Sequence, residues 1–137
     1  WKKIGSRVDI MDAKQHDYIL SITSHIPHLI AYNIVNMTLD IKKKKKQEIV
    51  KYSAGGLRDF TRIAASNPIM WRDIFIQNRK NASIMIDKFI ENLRDLKKAI
   101  KNKNEKKLEK IFKKTKKIRK EIVKAGQDIG KANFGRK

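Results

Sequence analysis

At 137 residues with 40% hydrophobic content, the chain is sized for one ordinary domain with a modest core. The absence of cysteine excludes a disulfide framework and a thiolate zinc site and fits a reducing cytoplasm. The lack of any apolar run of about 18 residues, or of a signal-peptide pattern, leaves a chain that reads as soluble. A formal net charge of +20 raises nucleic acid as a partner, but most of that charge is lysine, in a chain also rich in Ile and Asn, the pattern of an AT-rich coding sequence. Coding bias with solvated basic faces is the favoured reading over a polyanion site, because charge alone gives weak, salt-sensitive binding. The numbering opens on Trp1 rather than on a methionine, so the sequence is expected to begin inside a longer protein.

In chain order, residues 1–5 read as the last turn of a helix closed by Gly5. Arg7, Val8, Asp9, Ile10 and Met11 then alternate polar and apolar, like a half-buried strand. Nothing later looks like a partner strand, so residues 8–11 are expected to join a sheet contributed by residues upstream of Trp1. Asp12 is a candidate N-cap, and over residues 13–39 Ile19, Leu20, Ile22, Ile26, Leu29, Ile30, Ile34, Val35 and Met37 recur at helical intervals. Pro27 interrupts this long, largely buried helix and predicts a bend near residues 23–27.

The lysine run at 42–46 is too dense in like charge to bury and reads as an exposed loop or helix start. Residues 47–52 form a short helical stretch leading into Ser53-Ala54-Gly55-Gly56, where two glycines permit close backbone approach. Residues 58–65 read as helix, ended by Ser66-Asn67-Pro68, with Pro68 suited to the first turn of the next. One long helix over residues 69–101 fits best, with Asn81 as a point that can divide it. Asn104 looks like the cap of a last helix whose apolar stripe is Leu108, Ile111, Phe112, Ile118, Ile122 and Val123 against a dense basic face. Gly126 and Gly130 end it, leaving a polar tail.

Two segments differ from helix filler. All three histidines fall in the first, His16-Asp17 followed by Ser24-His25-Ile26-Pro27-His28, where Ser24 and His28 share a helical face. A metal site lacks a carboxylate at ligand spacing; the histidines either hydrogen-bond in the core or line a polar pocket at the kink, where Ser and neutral His suit a small ligand. The second runs from Ser53 through Gly55-Gly56-Leu57-Arg58-Asp59-Phe60-Thr61-Arg62 to Trp71. Arg58 and Arg62 lie one turn apart and suit bidentate capture of a carboxylate or phosphate; equally, either can simply pair with Asp59 or Asp73 at the surface.

Taken together, Met11-Asp12, His16-Asp17, Ser24-His25-Ile26-Pro27-His28-Leu29-Ile30-Ala31, Gly55-Gly56-Leu57-Arg58-Asp59-Phe60-Thr61-Arg62-Ile63-Ala64 and Asn67-Pro68-Ile69-Met70-Trp71-Arg72-Asp73 resemble the prephenate dehydrogenase family, over about residues 1–79. The lysine-rich remainder matches only in being helical. The resemblance implies oxidative decarboxylation of prephenate or arogenate with NAD or NADP, in tyrosine biosynthesis in the cytoplasm. It further implies a Rossmann domain upstream, which holds the cofactor and the catalytic histidine. Gly55-Gly56 lacks the spacing and preceding strand of a cofactor-binding turn, so this chain is expected to hold neither and to be inactive alone.

What the resemblance leaves here is the second wall of the substrate site. It implies that Arg62 grips a substrate carboxylate, that Ser24 and His28 face the substrate, that Gly55 allows close approach and that Asp59 gates the entrance. Trp71 would reach toward a neighbouring subunit's site, with His16, His25 and Arg58 in support. Residues 1–11 would then end the nucleotide-binding domain, 12–126 form an all-α substrate-binding and dimerisation domain of long kinked helices, and 127–137 a polar tail. A homodimer follows from the Trp71 role, with a monomeric bundle as the alternative for the apolar faces. The rival function is a basic helical nucleic-acid-binding module.

Overall fold

The computed structural model describes residues 1–6, 8–38 and 43–127, and every described element is helical. Arg7, Leu39, Lys42 and the tail beyond Gln127 lie outside the described residues. The fold divides into two compact units, Trp1–Asp87 and Lys88–Lys137.

The first unit opens with a 3-10 turn, Lys2–Ile4, closed by Gly5 in the left-handed region at φ 83°, as the sequence predicts. Among the described residues the alternation at 8–11 is not a strand. Residues 8–11 carry no regular secondary structure, and Ile10 is 97% exposed. A strand needs a ladder partner for its backbone groups, and the described residues supply none.

Helix α1, Ala13–Leu20, starts where Asp12 Oδ1 accepts the Gln15 amide at 3.0 Å. Where a bend is predicted, the α-helix is interrupted by a π-turn, Ser21–His25, in which the Ile26 amide reaches five residues back to the Ser21 carbonyl. Two hydroxyls bond into the preceding turn: Ser21 Oγ donates to the Tyr18 carbonyl at 2.6 Å and Thr23 Oγ1 to Ile19 at 3.0 Å. Such back-bonding loosens a helix, and Pro27, lacking a donor, falls in the first turn of the fresh helix α2, Ile26–Asn36. The run is less deeply buried than its periodicity implies, since Ile22 is 47% and Met37 64% exposed.

After α3, Lys43–Lys51, comes α4, Gly55–Ala64, which packs against α2 through a face carrying the partly buried Leu57, Phe60 and Ile63. Tyr32 on α2 adds a long-range tie, its hydroxyl donating to the Ser66 carbonyl at 2.9 Å. Asn67 caps α5, Pro68–Gln77, accepting the Ile69 and Met70 amides at 2.9 and 3.0 Å. The single helix expected over residues 69–101 is in fact two. It breaks at Asn78 rather than at Asn81, and α6, Arg79–Lys101, follows. At the break, the Asn78 side chain bonds to Asp17 and His25 on other elements.

In the second unit the α6 chain ends with Lys103 in the left-handed region at φ 49°, where the Asn104 amide closes back on the Ala99 carbonyl at 2.9 Å. Asn104 then caps α7, Glu105–Lys124, by accepting the Lys107 amide at 2.9 Å, as predicted. Lys107 Nζ pairs with Asp95 Oδ1 at 3.6 Å, joining α7 to α6. Gly126 at φ 72° ends α7 where expected. Ala99 is buried, whereas Phe112 and Ile118 stay 57% and 55% exposed.

Candidate functional site

The π-turn sets the site. By widening one turn it delivers His25 into the interior, 6% exposed, and leaves Ser24 and His28 half-buried just beyond it. Helix α5 supplies the opposing rings. Trp71, 5% exposed, stacks on His28 with ring centroids 3.7 Å apart at 24°. His25 meets Trp71 and Phe75 edge-on, each at 6.1 Å. Trp71 and Phe75 themselves lie 5.7 Å apart, so two imidazoles and two aromatic rings form one cluster.

Hydrogen bonds fix the protons in that cluster. His28 Nδ1 lies 2.9 Å from the Ser24 carbonyl, which only accepts, so Nδ1 carries the hydrogen and a neutral His28 has its Nε2 as an acceptor. It is the Ser24 backbone that His28 meets in this bond. His25 Nδ1 lies 3.2 Å from Asn78 Nδ2, and that amide also donates to the Asp17 carbonyl at 2.8 Å. The Trp71 indole nitrogen is fully buried and finds no hydrogen-bond acceptor among the described residues.

Burial lowers the His25 pKa from its ordinary 6.5; Asp17 opposes this and His16 and His28 add to it. As pH falls, the unfolded chain therefore takes up a proton at position 25 before the folded one does. The resulting stabilisation is intact above 6.5 and is lost as the pH drops below it toward the lower folded value. Urea midpoints at about pH 7.5 and pH 5.5 are expected to fall less in His25→Gln than in the unsubstituted protein. Equal falls would show that His25 does not control this acid sensitivity.

The other named residues lie apart from this ring cluster. His16 is exposed and pairs with its neighbour Asp17 at 3.2 Å, so it touches His25 only through its charge. On α4, Arg62 Nε stands 3.9 Å from Asp59 Oδ1, with the arginine side chain 66% exposed. Arg72 pairs with Asp73 at 2.8 Å. The surface pairing that competes with an anion site is thus present, and an exposed pair at that distance is worth only about 0–1 kcal/mol.

Gly55 and Gly56 begin α4 with negative φ; a Cβ on Gly55 would come no closer than 4.0 Å, to Arg58, and one on Gly56 would meet open space. Neither glycine is demanded by the fold of the chain itself. Trp71, expected to extend toward a neighbour, is packed within its own chain. Asn78 and Phe75 escaped sequence reasoning, Asn78 because an asparagine in a helical stretch carries no local sign of a tertiary partner. Among the described residues no group of three His, Asp or Glu side chains is placed to hold a metal ion, and no helix is long and apolar enough to cross a membrane.

An interrupted helix carrying two imidazoles, with the aromatic rings of α5 packed on it and the arginine-bearing α4 against it, makes up an all-α unit. Residues 12–114 match the family described as prephenate dehydrogenase, dimerization domain. The chain is 41% identical to the cyclohexadienyl dehydrogenase of Zymomonas mobilis over 87% of its own length and 41% of that protein's. It is 37% identical to the prephenate dehydrogenase of Bacillus subtilis over 63% of its own length and 22% of that protein's. Its fold superposes on the Aquifex aeolicus prephenate dehydrogenase solved with hydroxyphenyl propionate and NAD+ at a TM-score of 0.79 and 38% identity, covering 89% of this chain and 42% of that one.

This chain belongs to the prephenate dehydrogenase family and carries its all-α dimerization domain. It spans less than half the length of these relatives.

Proposed function

We propose that this chain is the substrate-binding and dimerising part of a cytoplasmic prephenate or arogenate dehydrogenase of tyrosine biosynthesis. The whole protein would oxidatively decarboxylate its substrate, with NAD or NADP taking the hydride. The observation that carries the reading is the cluster at the π-turn, where His28 is stacked on Trp71 with its Nε2 turned into an acceptor. A ligand-facing polar group held by a packed aromatic is the arrangement expected of a preformed small-molecule site. Family membership over residues 12–114 supports the same assignment.

In this reading Arg62 exchanges Asp59 for a substrate carboxylate, and Asp59, released, gates access. Ser24 and His28 contact the substrate, Gly55 admits it close to the backbone, and Trp71 completes the wall. His16, His25 and Arg58 act in support. The dinucleotide does not fit the residues present, because no strand followed by a glycine-rich turn occurs among the described residues and α4 begins at Gly55 without a preceding strand. It would be held by a nucleotide-binding domain upstream, of which residues 1–11 would form the end, and this chain alone would not turn over substrate.

Homodimerisation is supported by what the helices leave uncovered: Ile84 and Leu93 on α6 are 44% and 46% exposed, and Ile100 is 63% exposed. Apolar surface of that kind calls for a partner, and a second copy is the one the family description names. The test is to assay the full-length protein with prephenate and arogenate, each with NAD+ and NADP+, following reduced nicotinamide and carbon dioxide release. At least one pairing is expected to turn over; failure of all four would overturn the proposal.

A further inference from the structure

Asn78 sits at the joint between α5 and α6, 7% exposed, and every hydrogen-bonding position of its amide that the structure defines is used. Nδ2 donates to the Asp17 carbonyl on α1 at 2.8 Å and lies 3.2 Å from His25 Nδ1 on the π-turn. Oδ1 accepts from Asn81 Nδ2 at 2.8 Å. The backbone carbonyl of Asp17 can only accept, so the amide cannot be turned round without setting oxygen against oxygen. His25 Nδ1 therefore faces a donor and must itself be the acceptor, which places the His25 hydrogen on Nε2. His28, three residues on, has the opposite tautomer, because its Nδ1 must donate to the Ser24 carbonyl.

We propose that Asn78 is a positioning residue for the substrate site, holding His25 in its Nε2–H tautomer so that the His25, Trp71 and His28 rings fix the direction of the His28 acceptor. The chain of contacts is continuous. Asn78 bonds His25, His25 stands edge-on to Trp71 at 83°, and Trp71 lies flat on His28. Edge-on and stacked arrangements are the favoured ring geometries, so each ring in this series limits the tilt of the next. Groups on every side of His25 agree with a neutral ring: Phe75 and Trp71 on α5 are uncharged, and Asn78 offers a hydrogen where a protonated Nδ1 would offer another. Asp17 on α1 is the one group that favours the charged ring, opposed by burial and by His16 and His28.

This inference rests on the proposed substrate site, but its first readout does not. Nitrogen-15 imidazole spectra of the full-length protein at about pH 7.5 are expected to show His25 with an unprotonated Nδ1 and His28 with an unprotonated Nε2. A protonated His25 Nδ1 would overturn the proposal outright, whatever the enzyme's substrate. Asn78→Asp puts a carboxylate oxygen in place of Nδ2, opposite both the Asp17 carbonyl and His25 Nδ1, so His25 is expected to carry a hydrogen on Nδ1. The KM for the active substrate should then rise about tenfold to a hundredfold, the scale set by loss of alignment away from the reacting atoms.

Asn81→Ala, which frees Asn78 from one side only, is expected to cause a smaller change in the same direction. It covers the case in which Asn78→Asp fails to fold. If the Asn78→Asp enzyme switches the His25 tautomer and keeps its KM, Asn78 is structural only and the proposal fails. If the unsubstituted protein uses neither prephenate nor arogenate while its tautomers are as stated, it is the functional reading that fails.

Discussion

Replacing Arg62 with alanine in the full-length protein is expected to lower kcat/KM for prephenate or arogenate by about a hundredfold to ten-thousandfold. The magnitude follows from losing a bidentate guanidinium–carboxylate contact, in which each charge-assisted hydrogen bond is worth roughly 1.5–3 kcal/mol, with about 1.4 kcal/mol per factor of ten. Stability should barely change, because in the unliganded chain Arg62 is 66% exposed and its pairing with Asp59 at 3.9 Å is a weak one. A loss of activity would thus not be a loss of fold. Arg62→Lys keeps the charge and loses the fork, and is expected to fall between the two. Steady-state kinetics and a urea melt on the same preparations decide it, and activity undiminished in Arg62→Ala would remove this residue from the site.

Replacing Trp71 with alanine is expected to produce the largest stability loss, about 3–5 kcal/mol, the range for truncating a buried aromatic. Trp71 is 5% exposed and touches three other rings, so the void would undercut His25, His28 and Phe75 together. Trp71→Phe should cost much less. It keeps most of the stacked area and deletes an indole N–H that finds no acceptor among the described residues, so no hydrogen bond is lost with it. Urea midpoints of the two variants test the argument, and a loss below about 1 kcal/mol in Trp71→Ala would show that the ring cluster is not the core of its unit.

Asp12, Asn104, Gly5 and Gly126 were legible from sequence because a cap or a left-handed terminus is decided within a few residues, by one side chain meeting one backbone amide or by a missing Cβ. The interruption of the helix just before Pro27 was legible for the same reason, a donor missing at a known place. So were the motifs around His28 and Arg62 that resemble the prephenate dehydrogenase family. Periodicity over residues 13–39 correctly indicated helix, yet it overstated burial, since apolar spacing says which face is covered and not by what.

What only the tertiary structure decided lies in contacts between residues far apart in the chain. The helix breaks at Asn78 instead of Asn81, and there the Asn78 amide is bonded to Asp17 and His25, 61 and 53 residues away. The insertion of a π-turn at Ser21–His25, rather than a simple kink, sends His25 inward and His28 onto Trp71. Helical spacing alone puts Ser24 and His28 on one face, but which nitrogen of each imidazole carries the hydrogen depends on the carbonyl or amide opposite it. Residues 8–11 mark the remaining limit: alternation can propose a strand, but a strand exists only when a neighbour takes up its backbone hydrogen bonds, and within the described residues there is none.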